Sequence, residues 1–147
     1  MKVPMGAQLA LRYEFDAHDD FGWLEAHFST AKTSGKMGFW VQWQDVREWA
    51  SELATFPMRS RHRSGVDWGQ FESGGGNYRP IIKVVIRASE LGRLDVAVNL
   101  ADYADERVSC RGVFTTDFPA LQRFADDLAS VMNKKQDEAI LIGLNVP

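Results

Sequence analysis

The sequence predicts an α+β fold, a single mostly antiparallel sheet of about six to eight strands with two helices packed on one face. Two observations predict it. Most of the chain alternates apolar and polar residues with period two, the mark of strands with one covered and one wetter face. Two stretches instead repeat with a period near four, as a helix lying on a core does. At 147 residues, a chain of this size can bury about 70% of its unfolded surface around one core, so residues 1–147 are expected to form one domain. The segment 134–147 is expected to be a C-terminal tail or short edge strand.

The first expected strand is Gln8 to Asp16, with Leu9, Leu11, Tyr13 and Phe15 on one face and Arg12 and Glu14 on the other. Residues 17–22 have turn composition. Trp23 to Thr30 follows, with Leu24, Ala26 and Phe28 inward and Trp23, Glu25 and His27 outward. Met37 to Trp43 places Met37, Phe39, Val41 and Trp43 on one side and Trp40 and Gln42 on the other. Helix one is expected to be capped by Asp45, with Glu48 closing a capping box. Val46, Trp49, Ala50, Leu53 and Phe56 form its apolar stripe, and Pro57 ends it.

The dense basic run of the chain comes next, Arg59-Ser60-Arg61-His62-Arg63. Val66 to Glu72 reads as a short strand, and Gly74-Gly75-Gly76 as a hairpin tip, because it joins two strands and opens no helix that could hold an anion. Tyr78 to Ala88 and Arg93 to Leu100 form a strong hairpin. Arg107 to Thr115 follows, with Val108, Cys110, Gly112 and Phe114 on one face and Arg107, Ser109 and Arg111 on the other. Helix two starts near Thr116-Asp117-Phe118-Pro119, a cap followed by a proline tolerated in the first turn. Its stripe is Phe118, Leu121, Phe124 or Ala125, Leu128 and Met132, and residues 139–144 are apolar enough for a short edge strand or a docked tail.

Chemical motifs are sparse. Cys110 is the only cysteine, which excludes an intramolecular disulfide and a multi-cysteine zinc site, and its register reads as core. The histidines His18, His27 and His62 are scattered, so no metal site and no cofactor is expected. No nucleophile elbow, zinc-protease helix or phosphate loop occurs. The formal net charge of −3 argues against general nucleic-acid binding, which shows a basic footprint. No apolar run is long enough for a signal peptide or a membrane span, so the expected location is cytoplasmic with no membrane partner.

Two helices can cover only one side of such a sheet. The open side is expected to display Arg12, Glu14, Trp23, Glu25, His27, Trp40, Gln42, Asp95, Asn99, Arg107 and Arg111. Of these, Trp23, Glu25, His27, Trp40, Gln42, Arg107 and Arg111 are the candidate binding residues, because aromatic and arginine side chains dominate protein interfaces. Arg59, Arg61, His62 and Arg63 form a second candidate, a basic contact loop able to grip an acidic partner. Glu25 and His27, two apart on one strand, could also share a pocket with nearby arginines in a small enzyme or small-ligand-binding protein.

Segments 46–54, 67–68, 71–72, 92–98 and 118–128, following an aromatic strand, give the chain a layout that resembles the WapI-type bacterial immunity proteins and sister small bacterial domains of unknown function. The resemblance spans residues 8 to 132 and rests mostly on core and capping positions. It implies a cytoplasmic, non-enzymatic protein that binds and blocks a partner toxin. Oligomeric state and the identity of the partner are open at this level.

Overall fold

The computed structural model describes residues 6–56, 63–72, 75–89 and 92–144. The elements run β1 (Gln8–Glu14), β2 (Phe21–Ser29), β3 (Ser34–Gln42), α1 (Trp43–Ala54), β4 (Arg63–Phe71), β5 (Tyr78–Ala88), β6 (Arg93–Ala101), β7 (Ser109–Asp117), α2 (Phe118–Met132) and β8 (Glu138–Ile142). The chain is α+β and the strands pair antiparallel, as the periodicity predicts.

The expected single sheet is corrected to two four-stranded sheets, ordered β3-β2-β1-β8 and β4-β5-β6-β7. The two halves adjoin at β8 and β7, but without a ladder. Leu144 N donates to Thr115 O at 2.7 Å, and Thr116 Oγ1 to Ile142 O at 2.8 Å. An open sheet of eight strands would ask two helices to cover its whole apolar side. Folding one half over the other lets the two apolar faces cover each other.

The overlap is made by β3, which approaches every strand of the second sheet and so runs across them. Beside it, the Phe28 ring stacks on Phe114 with centroids 6.1 Å apart. A Cβ on Gly112 would stand 2.9 Å from the Phe28 ring, so only glycine leaves room for this approach. Away from the crossing, α2 lies against β8, β1 and β7, while α1 lies against α2, β3 and β4. Each helix thus touches strands of both sheets. One continuous cluster, including Leu11, Phe28, Trp49, Leu53, Val84, Val96 and Phe124, forms the core.

Several local expectations change. α1 begins at Trp43, so Asp45 stands in its first turn, where its charge favours the helix dipole, and makes no cap. The cap comes instead from Asp20 in the β1–β2 turn. Its carbonyl accepts from Trp43 N at 3.0 Å, and its carboxylate from Trp43 Nε1 at 3.3 Å and Gln44 Nε2 at 2.9 Å. Trp43 is therefore half-buried at the helix start and does not continue β3 into the core. The expected cap of α2 does form, with Asp117 Oδ1 accepting from Ala120 N at 2.9 Å. Arg47 of α1 donates to Met132 O at 3.0 Å and Asn133 Oδ1 at 3.2 Å, tying the helices at the end of α2. On β5, Ile81 is an extra residue between Trp68↔Ile82 and Gly69↔Pro80, a bulge that buries Ile81 and Ile82 in succession.

Leu53 is fully buried on the stripe of α1. Leu53→Ala should lower the unfolding free energy by about 2–5 kcal/mol in denaturant titration; a loss below about 1 kcal/mol would contradict the packing of α1.

Candidate functional site

The residues expected on one open face lie on two. On the first sheet, the outward row Trp40–Trp23–Glu14 is followed by Gly38–Glu25–Arg12–Glu138 and then by Lys36–His27–Ala10–Ile140. Gln42 ends β3 on the same side, opposite Phe21. The outer face of the second sheet carries Asp95, Asn99 and Arg111. Arg107 lies on neither. It precedes β7, and its guanidinium donates to both oxygens of Asp105 at 3.0 Å, which lowers the Asp105 carboxyl from its usual range. Arg63 opens β4, while Arg59, Arg61 and His62 lie outside the described residues.

The charged ladder of the first sheet is largely self-neutralised. Arg12 lies 3.7 Å from Glu138 and Lys36 lies 4.0 Å from Glu25. Such exposed pairs contribute little to stability, typically under about 1 kcal/mol, but they leave few charges waiting for a partner. His27 shares the face with Glu25, yet the groove of about 390 Å³ lined by Arg12, Glu14, Trp23 and Glu25 does not include it. Among the described residues there is no group of three or more His, Cys, Asp or Glu side chains able to hold a metal ion.

The aromatic corner of this face is built differently. Trp40, 53% exposed on the edge strand, meets Trp23 edge-on with centroids 5.0 Å apart. Trp23 in turn meets Tyr103 at 6.1 Å, also edge-on. Tyr103 sits in the β6–β7 turn and is held there by its backbone. Its carbonyl accepts from Gln70 Nε2 at 2.9 Å and Arg79 Nη2 at 3.0 Å. The Trp23 ring lies flat over Gly38, where any Cβ would strike the indole. The exposed Trp40 is thus backed by Trp23, which Gly38 and Tyr103 adjoin in turn.

Alternation in the β4–β5 hairpin and its neighbours builds a second surface. Outward residues form three cross-strand rows: Arg63–Arg87–Asp95–Thr115, Gly65–Val85–Ala97–Val113, and Asp67–Lys83–Asn99–Arg111. They enclose a groove of about 660 Å³. Sequence reasoning identified these strands but did not single out Lys83, Val85, Arg87 or Val113; their period-two spacing was the available signal. Tyr103 and Gly38 carried no comparable local signal, since their role arises only when the sheets fold together. At the margin of this face, Tyr78 Oη donates to Asp67 Oδ1 at 2.8 Å. Removal from water and the adjacent carboxylate push the Tyr78 phenol up to about 12.

No helix among the described residues is long and apolar enough to cross a membrane. No protein-family model and no curated protein matches the chain.

Two outcomes follow from this geometry. Gly38→Ala should displace the Trp23 indole and cost about 1–3 kcal/mol as overpacking does, read as a changed tryptophan emission and a lower melting temperature. Tyr78 is neutral in the fold to a higher pH than in the unfolded chain, so its stabilising contribution is complete below pH 10 and is lost as pH rises from 10 towards 12. Tyrosinate absorbance should show two late-titrating groups, Tyr78 and Tyr13, whose phenol burial also raises, and Asp67→Asn should bring only the Tyr78 titration down.

Proposed function

We propose that this chain is a non-enzymatic protein-binding module of immunity type, cytoplasmic, which holds and occludes a partner toxin at the aromatic corner of its first sheet. The observation that carries this reading is Trp40, an exposed indole braced by Trp23, which is itself packed against Tyr103. A large, rigid aromatic side chain loses little conformational freedom on binding, and tryptophan is the residue most enriched among interface hot spots. The self-neutralised ladder beside it suits the polar rim that surrounds such an anchor. The layout resemblance of residues 8 to 132 to immunity proteins supports the choice of a toxin as the partner.

The test is recovery of the bound protein from the native host with the full chain as bait, followed by titration of the purified pair. A stoichiometric partner whose toxicity is blocked by added chain supports the reading. Trp40→Ala should then weaken binding by more than about 2 kcal/mol while thermal unfolding stays unchanged. His27→Ala should leave both nearly unchanged. A host reaction catalysed by the chain and slowed about 10²–10⁴-fold by His27→Ala would overturn the reading in favour of an enzyme.

A further inference from the structure

The outer face of the second sheet is a separate surface from the Trp40 corner, and its charges are not balanced from within. Arg63, Arg87, Lys83 and Arg111 share it with the carboxylates of Asp67 and Asp95. Asp67 is already engaged by Lys83 at 3.9 Å and by Tyr78 Oη at 2.8 Å. Asp95 accepts from Thr115 Oγ1 at 3.4 Å. Among the described residues, Arg63, Arg87 and Arg111 enter no ion pair. Arg63 stands directly opposite Arg87, a like-charge cross-strand pair that weakens a sheet, and the single carboxylate on the other side of Arg87, Asp95, has to serve both. A basic face on a chain of net charge −3 is a local feature with its own complement.

Between the cationic rows runs a low aliphatic stripe, Val85, Ala97 and Val113, in which Val113 is 64% exposed. Rows two residues apart on a strand are separated by about 7 Å, so the flanking rows stand about 13 Å apart, close to the 10–12 Å diameter of a helix with its side chains. The stripe crosses three strands about 4.8 Å apart, a length that about six or seven helical residues would cover. We propose that this face seats an acidic amphipathic helix of a partner protein, its aliphatic ridge on Val85, Ala97 and Val113 and its carboxylates against Arg87 and Arg111.

Other occupants fit less well. A second copy of the chain applied face to face would bring together two faces that each carry four cationic side chains against two carboxylates. A single-stranded nucleic acid would find its phosphates a match for the arginines, but the three rows offer no aromatic ring on which a base could stack.

The experiment uses the full chain and a synthetic helical peptide of about fourteen residues, with leucines along one face and glutamates flanking them. Its controls are a scrambled peptide of the same composition, a lysine-for-glutamate version and a short poly-dT oligonucleotide. The helical acidic peptide should bind, shift the methyl resonances of Val85 and Val113, and weaken with added salt. Arg87→Glu combined with Arg111→Glu, and separately Val113→Asp, should each weaken it about tenfold or more, while Trp40→Ala should leave it unchanged. These side chains are exposed, so folding of the variants is checked by circular dichroism against the parent chain. Equal binding of the scrambled peptide, preferential binding of poly-dT, concentration-dependent self-association through this face, or absence of methyl shifts would each overturn the proposal.

Discussion

The passage of β3 across the second sheet is the constraint on which the rest of the molecule depends. It requires two backbones to share a small volume; Gly35 of β3 supplies it by presenting no side chain where Cys110 of β7 lies, and beside the crossing Gly112 does the same for the Phe28 ring of β2. Once the sheets overlap at this point, their apolar faces cover each other locally, and the two helices need only fill the remainder. The positions of α1 against β3 and β4, and of α2 against β8, β1 and β7, follow from that division. A bulky residue at position 112 would therefore disturb the joint between the halves more than either half alone.

The same overlap decides what the protein shows to its surroundings. Both outer faces are left free of helices, and they differ in kind. The first carries paired charges and an aromatic corner; the second carries arginines that, among the described residues, enter no ion pair, around a low aliphatic stripe. A surface that neutralises itself costs little to leave in water and contributes mostly solubility, whereas clustered like charges cost free energy that an opposite charge would recover.

Much of this was legible in the chain because periodicity is local. Tyr78–Ala88 was read with both ends correct, and the Asp117 cap was found because cap and helix are adjacent in sequence. The partition into two sheets was not legible, since it depends on β1 pairing with β8 and on β3 crossing strands far along the chain. Asp45 looked like a cap, but Asp20 took the role from a turn beyond the range of any local motif. The outward list was right for Trp23, His27 and Trp40 because the register of β2 and β3 held, but it merged surfaces that the fold separates. Arg107 was misplaced for a smaller reason: Asp105 captured it in the turn before the strand began.

The pairing of β1 with β8 also bears on the order of events during synthesis. Gln8 lies opposite Ile142, so β1 acquires its second neighbour only after all the residues between them have been translated. At about 5–20 residues per second, that leaves an interval on the order of ten seconds. The β1–β2–β3 meander can form meanwhile, but with a naked edge on the β1 side. Arg12 and Glu14, charged and outward on that edge strand, are suited to discourage wrong partners while it waits. The short β8 is thus a late-arriving guard against aggregation as well as the last strand of the sheet.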